Sequence, residues 1–263
     1  MRADGDCWLH YPIAMRIFPG LLPILLLLSG LLLAPTWAAK RLQLITTDYP
    51  PYCAADLPEQ GVFTALAQAA FKAGGYETDV VFKPWARALA EIKAGKHDAI
   101  LAVWFQSERN KFLAFTDPLW LNRIGFMARV GELVDTQHLS TLKGRKIGVV
   151  RGYANPPEFE AANLTVDEAV DDETNLKKLL GGRVDLALVD KALAEHLIRN
   201  RIPEADGRLE WREPPIATMP LYVALSRSKP GYEQRLLAFN RGLAEIRRTG
   251  EYERILKRHG ITQ

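Results

Sequence analysis

One unit of sequence occurs twice, and this duplication constrains the fold more than any other feature of the chain. Residues 94–103, AGKHDAILAV, and residues 181–190, GGRVDLALVD, share a small residue, a glycine, a basic residue and an aspartate before an apolar run. Each segment follows a short stretch, 86–93 or 173–180, with apolar side chains at helical spacing. The glycines fit helix C-termini, where a left-handed backbone is needed.

The segments that open each unit also match. Residues 41–52, RLQLITTDYPPY, and residues 145–158, RKIGVVRGYANPPE, each carry a strand pattern into a tyrosine and two adjacent prolines. Strands that alternate with helices predict βαβ units with parallel pairing and right-handed crossovers. Further helical patterns lie at 62–75, 191–200 and 231–260, the last interrupted at Gly250.

The duplication predicts two α/β lobes of about 100 residues each, a plausible size for small domains. We expect the chain to cross between them near 126–133 and to return near 214–222, a proline-rich stretch. Lobe 1 would then comprise 39–129 and 222–263, and lobe 2 would comprise 130–221. Asp98 and Asp185, at matching positions of the repeat, are interpreted as structural.

The N-terminal segment has the pattern of a secretory signal peptide. No charged residue occurs from Ile17 to Ala39, and residues 24–33 read ILLLLSGLLL. Small residues at Thr36 and Ala38 predict a signal peptide over 1–38 with cleavage after Ala38. Two alternatives stay open, a start at Met15 and retention of the segment as a membrane anchor, since the uncharged stretch is long enough to span a bilayer.

The composition and motifs of the rest of the chain argue against several classes of function. Cys53 is the only cysteine outside this leader, so neither an internal disulfide nor a cysteine metal site is expected. The net charge of +3, without a run of lysines or arginines, argues against nucleic acid as a partner. No sequence motif for a nucleophile triad, a zinc protease, a P-loop or a dinucleotide site is present, and we expect no cofactor.

The carboxyl ends of the predicted strands carry the candidate ligand-binding residues. Ligands of open α/β sheets bind beyond these ends, here 47–52, 102–109, 151–155 and Asp190. Arg109 supplies a permanent planar cation suited to a carboxylate, and Asp190 supplies a negative charge. Apolar walls with some polar tips would come from five aromatic residues: Tyr49, Tyr52, Trp104, Phe105 and Tyr153. A cation, an anion and aromatic walls suit a small zwitterion.

Each of these residues also has an ordinary structural interpretation. Arg109 could pair with Glu108 or Asp117 at the surface. Asp190 could cap the helix predicted at 191–200. Trp85 and Trp104 could belong to the core, and Tyr49 could only stiffen a proline turn.

The order and spacing of these segments resemble the family 3 periplasmic solute-binding proteins, the polar-amino-acid receptors of ATP-driven importers. The similarity runs from TTDYPPY through SERNKFLAFTDPLW and RKIGVVRGY to the C-terminal helices, nearly the whole mature chain. It implies a type II periplasmic binding fold, two α/β lobes joined by two hinge crossovers that close on the ligand. By the same resemblance, Arg109 holds the ligand carboxylate, Asp190 takes the amine and Tyr49 packs on the ligand. Residues 151–154, which include Arg151, Gly152 and Tyr153, would meet the carboxylate.

The sequence departs from the family pattern at two places. The amino-acid binders usually carry small hydroxyl residues where this chain has Ala102-Val103-Trp104-Phe105, and the segment 152–154 lacks the usual serine or threonine. A more aromatic pocket, with a larger or more apolar ligand or a different small carboxylate, is therefore expected. Arg87, which could reach the mouth of the cleft, is interpreted as a solvated helix residue.

The function expected on this basis is that of a secreted, periplasmic and monomeric receptor. It would capture a small carboxylate-bearing ligand, an amino acid or a relative, by cleft closure and deliver it to an inner-membrane ABC permease. We expect no enzymatic activity. The alternative is a periplasmic enzyme on the same scaffold, similar to cyclohexadienyl dehydratase, for which Glu108 and Asp190 are the candidate cleft acids.

Overall fold

Strands and helices alternate along residues 40–261, the part of the chain that this computed structural model describes; the predicted signal peptide lies outside it. The strands are β1 Lys40–Thr46, β2 Tyr76–Phe82, β3 Ala99–Trp104, β4 Leu113–Phe115, β5 Trp120–Arg129, β6 Lys146–Val150, β7 Thr165–Ala169, β8 Leu186–Asp190, β9 Leu209–Trp211 and β10 Ala217–Ser226. The α-helices are α1 Val62–Ala73, α2 Trp85–Lys93, α3 Pro157–Ala161, α4 Asp172–Leu180, α5 Lys191–Asn200, α6 Tyr232–Arg248 and α7 Glu251–Arg258. A 3₁₀ helix, Ser107–Lys111, follows β3.

The sheet consists of two parallel groups with two long antiparallel strands between them. Its order is β2-β1-β3-β10-β5-β8-β6-β7, while β4 pairs with β10 and β9 pairs with β5. β1 runs parallel to β2 and β3, and β6 runs parallel to β7 and β8. β5 and β10 pair antiparallel to each other and are the two predicted crossovers. The predicted lobe boundaries fall at the end of β5 and within β10.

The sequence repeat has matching hydrogen bonds in both halves. Asp98 Oδ2 accepts from the N–H of Gln43 at 2.9 Å, and Asp185 Oδ2 accepts from the N–H of Lys146 at 2.7 Å. The N–H of each aspartate donates to the carbonyl of the same strand residue, at 2.8 Å in both halves. The glycine three residues before each aspartate is left-handed, with φ of 70° and 68°. Both aspartates are therefore structural, as the sequence indicates.

The C-terminal helices and α1 pack closely in the core. The predicted helix over 231–260 is divided by Gly250, which is left-handed with φ of 72°. Helix α6 crosses α1 so closely that a Cβ on Gly242 would lie 2.0 Å from the carbonyl oxygen of Ala70. Phe71 and Phe239 pack edge to face beside this crossing, with ring centroids 4.7 Å apart. Within residues 40–261, no helix is both long enough and apolar enough to cross a membrane.

Candidate functional site

The turn that follows β1 holds two tyrosine rings together. The N–H of Tyr49 donates to the carbonyl of Cys53 at 2.6 Å, and the N–H of Cys53 donates back to the carbonyl of Tyr49 at 2.9 Å. The rings of Tyr49 and Tyr52 stack with centroids 5.2 Å apart and planes 27° apart. The two adjacent prolines, which fix the backbone of this turn, thus place both rings at the carboxyl end of β1.

A bulge in β3 positions the next aromatic residue. The register between β3 and β10 shifts next to Ala102, whose backbone is left-handed with φ of 54°. A bulge bends the strand and re-aims the side chains that follow it. Trp104 then lies in the site, buried, and its Nε1–H donates to Asn122 Oδ1 at 2.8 Å.

Arg109 is buried among backbone carbonyls and an aromatic ring. The residue is 3% exposed. Its two terminal nitrogens donate to the carbonyls of Trp104 and Gly152, each at 2.8 Å. Its guanidinium carbon lies 5.3 Å from the centroid of the Trp85 ring. Its Nε–H has no hydrogen-bond partner.

The charge of Arg109 is not balanced by a carboxylate in the described part of the chain. No aspartate or glutamate oxygen within residues 40–261 lies within salt-bridge distance of it, and Glu108 pairs with Lys111 instead, at 2.5 Å. Burial lowers the pKa of Arg109 to about 10, so the group stays cationic at neutral pH. A buried cation without an anion is costly, and an anionic ligand would remove that cost.

Gly152 joins the two halves of the structure. Its carbonyl accepts from Arg109 and also from the indole N–H of Trp85, at 2.8 Å in each case. The backbone of Gly152 is left-handed, with φ of 79°, a conformation that glycine adopts without strain. Residue 152 therefore turns its carbonyl toward both donors.

Tyr153 completes an aromatic enclosure. Its ring stands nearly perpendicular to those of Trp85, Trp104 and Tyr49, with centroids 5.7, 5.3 and 6.3 Å away. The cavity left between these side chains has a volume of only about 10 Å³, room for about one water molecule, so the rings close tightly on one another. It is lined by Thr47, Tyr49, Trp85, Ala102, Trp104, Arg109, Tyr153 and Ala154.

Asp190 caps a helix and is bonded across the cleft. Its Oδ1 accepts from the N–H of Leu193 at 2.9 Å and from the hydroxyl of Tyr52 at 2.8 Å. Its Oδ2 accepts from the N–H of Arg123 at 3.1 Å. Burial is the main cause that raises its pKa to about 6. The helix-cap interpretation is confirmed, and the carboxylate contacts Tyr52 rather than lining the cavity.

Asp172 was not found by sequence reasoning. It lies in the first turn of α4 and accepts from the Tyr153 hydroxyl at 3.0 Å. Burial is again the largest cause of its raised pKa, about 7. An aspartate at a helix start is ordinary, so no sequence signal marks it.

An ionic contact joins the segment after α5 to the segment after β1. The guanidinium of Arg201, just after α5, bonds to Asp48 and Asp56, which follow β1. A wider cavity of about 280 Å³ opens here, and Thr47 lines both this cavity and the aromatic one. Within residues 40–261, no cluster of three or more side chains could hold a metal ion.

Besides Asp190, two predicted site residues, Phe105 and Arg151, lie away from the aromatic cavity. Phe105 is 51% exposed and packs on Phe115, because successive side chains of an extended segment point in opposite directions. Arg151 is exposed and pairs with Glu168 at 2.9 Å. Arg87 pairs with Glu91 on the surface of α2, as the sequence suggests. Trp85 belongs to the buried core, as the sequence suggests, and it also lines the cavity.

The chain matches known proteins over this same region. A family model, "Bacterial extracellular solute-binding proteins, family 3", matches residues 43–262. The L-cystine-binding protein TcyJ of Escherichia coli (strain K12) is 28% identical over 208 residues, which cover 77% of this chain and 75% of that protein.

Solved structures share the fold. An ancestral arginine-binding protein bound to arginine superposes with a TM-score of 0.71 at 22% identity, over 83% of this chain and 97% of that one. The ancestral amino acid-binding protein AncCDT-1, a precursor of cyclohexadienyl dehydratase, superposes with a TM-score of 0.67 at 19% identity, over 83% and 94%. The expected fold, two-lobed and of the type II periplasmic binding class with two crossovers, is confirmed.

Proposed function

The chain belongs to the bacterial extracellular solute-binding proteins, family 3, and on that premise we propose that it captures a small carboxylate-bearing ligand, an amino acid or a relative of one, by cleft closure. The observation that carries the proposal is the buried guanidinium of Arg109. Arg109 and Tyr49 both line the aromatic cavity, and each has a buried donor without a hydrogen-bond partner: the Nε–H of Arg109 and the hydroxyl of Tyr49. A carboxylate would satisfy both donors and balance the charge.

Closure of the cleft accounts for how capture is coupled to a change of shape. With lobe 1 taken as 39–129 plus 222–263 and lobe 2 as 130–221, Gly152 and Asp190 lie on lobe 2. The side chains that donate to them, Tyr52, Trp85 and Arg109, lie on lobe 1. These contacts form only when the lobes meet. A ligand that docks on Arg109 and gains contacts with Tyr153 on closure shifts the population toward the closed form.

The proposed physiological role is delivery of the ligand to an ABC importer in the inner membrane. The family description and the relation to a cystine-binding protein support an extracytoplasmic receptor that works with a transporter. We propose that residues 1–38 direct the chain to the periplasm as a cleaved signal peptide and that the mature protein acts as a monomer.

Binding is favoured over catalysis by the contacts of the candidate acids. Glu108 is exposed and paired with Lys111, so it does not reach the cavity. Asp190 is committed to Tyr52 and two backbone N–H groups and is not a lining residue. A general acid must reach the proton acceptor on its substrate, and neither group meets that geometry here. Incubation with prephenate or arogenate should therefore yield no aromatic product.

The proposal is tested by a thermal-shift panel of amino acids and small carboxylates, followed by calorimetric titration of the compounds that stabilise the protein. A ligand at about 100-fold excess over its dissociation constant adds about 2.7 kcal/mol to the free energy of unfolding. Arg109→Ala should weaken binding by about 2–5 kcal/mol, since the ligand carboxylate would be buried unpaired. Arg87→Ala, which removes an exposed arginine of α2, is the control and should bind normally. Unimpaired binding by folded Arg109→Ala protein would remove Arg109 from the site.

A further inference from the structure

One arginine of the proposed lobe 2 is held by two carboxylates of lobe 1. The guanidinium of Arg201 is bonded to Asp48 and lies 3.3 Å from both carboxylate oxygens of Asp56. These aspartates precede Arg201 by 153 and 145 positions in the chain. The Arg201 side chain is 22% exposed, so the contact is partly shielded from water. Among the described residues, neither aspartate forms an ion pair with another basic side chain.

Arg201 is positioned from within its own lobe. Its N–H donates to the carbonyl of Leu197 at 2.8 Å, at the end of α5. Glu173 of α4 lies beside it, with Oε2 3.8 Å from Arg201 Nη1, while Oε1 of the same carboxylate accepts from Lys177. The cation is therefore fixed on lobe 2 and presented to lobe 1.

The other ion pairs that cross the proposed lobe boundaries, within residues 40–261, belong to the crossover strand β5. Arg123 pairs with Glu213 at 3.0 Å, and Arg129 pairs with Glu132 at 2.9 Å. A crossover strand is joined to both lobes by the chain itself, so these pairs do not depend on closure. Arg201 instead joins two segments that no crossover strand connects directly.

An ionic contact acts over a longer range than the other contacts between the lobes. A hydrogen bond such as that from Tyr52 to Asp190 needs its atoms within about 3 Å. Opposite charges attract over a Debye length, about 10 Å at 0.1 M salt and about 3 Å at 1 M. Arg201 and its two aspartates therefore attract each other across a gap that is too wide for hydrogen bonds.

We propose that Arg201 is an ionic latch for the cleft: it attracts Asp48 and Asp56 across the gap between the lobes and stabilises the closed form, so that ionic strength regulates capture. The inference rests on the proposed function, because a latch needs two lobes that open and close. An isolated surface ion pair contributes little, whereas several charges in a network contribute more. Arg201 does not line the aromatic cavity, so it acts on the closed population rather than on the ligand carboxylate.

The direct test is small-angle X-ray scattering by the mature chain without added ligand, at about 10 mM and about 1 M sodium chloride. We expect the radius of gyration to increase at high salt, because screening weakens the latch and the open form gains population. Arg201→Glu, which repels both aspartates, should have the larger radius already at low salt. The matched control is Arg258→Glu, because Arg258 and its partners Glu59 and Glu251 all lie on lobe 1. Equal radii in the two variants overturn the latch.

A charge exchange separates attraction between the lobes from any other effect of Arg201→Glu. Arg201→Glu combined with Asp48→Lys and Asp56→Lys reverses all three charges and keeps their attraction. We expect this triple variant to recover the smaller radius at low salt and to lose it at about 1 M salt. A triple variant that is folded by circular dichroism and keeps the larger radius contradicts the latch.

Affinity provides a second measurement on the compound that stabilises the protein most in the panel of amino acids and small carboxylates. We expect Arg201→Gln to weaken its binding about 3- to 10-fold at about 10 mM salt and to have no effect at about 1 M salt. Arg258→Gln should bind as the unmodified protein does at both salt concentrations. Equal affinities of Arg201→Gln and the unmodified protein at low salt exclude Arg201 from capture.

Failure of the latch and failure of the proposed function give different results. Binding of a panel compound together with unchanged radius and affinity in the Arg201 variants leaves the receptor function intact and overturns the latch. Absence of binding by every compound in the panel overturns the proposed function. In that case the scattering comparison of Arg201→Glu with Arg258→Glu still decides whether Arg201 holds the lobes together.

Discussion

The hydrogen bond between Tyr52 and Asp190 provides a direct test of closure, because removing one oxygen atom deletes it. Tyr52→Phe keeps a ring that stacks on Tyr49 and removes the 2.8 Å contact with Asp190 Oδ1. Both residues are nearly fully buried, at 3% and 1% exposure, so water cannot replace the lost donor. With the proposed lobe boundaries, this bond is made only in the closed form.

The expected loss of affinity in Tyr52→Phe follows from the type of hydrogen bond that is removed. A hydrogen bond to a charged group contributes about 1.5–3 kcal/mol. Asp190 keeps its two backbone N–H donors, so the helix cap at Leu193 survives. The loss therefore falls on closure, and a reduced fraction of the closed form appears as weaker apparent affinity. Since about 1.4 kcal/mol is tenfold, we expect a dissociation constant about 10- to 100-fold higher in Tyr52→Phe.

Titration calorimetry on the ligand that stabilises the protein most in the panel measures this effect. The matched control is Tyr252→Phe, which deletes a 2.9 Å bond from a buried hydroxyl to the carbonyl of Leu119 within lobe 1. This control should lower the melting temperature and leave the dissociation constant unchanged. If Tyr52→Phe binds as tightly as the unmodified protein, the bond to Asp190 does not contribute to closure and the reasoning is refuted.

Two further substitutions test the core and the buried acid. Gly242→Ala would place its Cβ 2.0 Å from a backbone oxygen of α1, and overpacking of about 1–3 kcal/mol should lower the melting temperature by about 3–10 °C. The control is Gly181→Ala, whose Cβ would have ordinary contacts at 3.4 Å and whose melting temperature should stay within about 2 °C of the unmodified protein. Equal shifts in the two variants would contradict the close crossing of α6 and α1. The pKa of Asp172 is raised to about 7, so the folded state binds more protons than the unfolded state between about pH 4 and pH 7. Its contribution to stability is therefore lost as pH rises through this window, at about 1.4 kcal/mol per unit of pKa shift. Asp172→Asn should therefore lose less stability than the unmodified protein between pH 5 and pH 8 in thermal melts, and an identical loss would show that Asp172 does not titrate in this window.

Much of the architecture could be predicted because the chain repeats itself. Matching strand openings and matching glycine-to-aspartate segments specify two α/β halves, and the structure shows the same backbone bonds at Asp98 and Asp185. Helix α5 has the predicted bounds because Asp190 caps it. The break at Gly250 was also visible, since a left-handed residue ends one helix and precedes the next.

The site could be predicted only in part, because its geometry depends on contacts between distant segments. Arg109 is recognisable as a cation in a loop between strands, but its bond to the Gly152 carbonyl joins residues 43 positions apart. Phe105 and Trp104 are equivalent aromatic residues in the sequence, and the bulge at Ala102 decides which one turns inward. Such a bulge follows from pairing with β10, more than 100 residues downstream, and has no local signal.

The closed structure buries one cationic group and two acidic groups, and together they favour a zwitterionic ligand. Arg109 is buried and keeps its proton, so it needs an anion. Asp172 and Asp190 are buried, with pKa values raised to about 7 and about 6, so a nearby cation is needed to keep both fully ionised at neutral pH. A ligand that brings only a carboxylate would satisfy the first requirement and oppose the second. A ligand that brings charges of both signs meets both requirements.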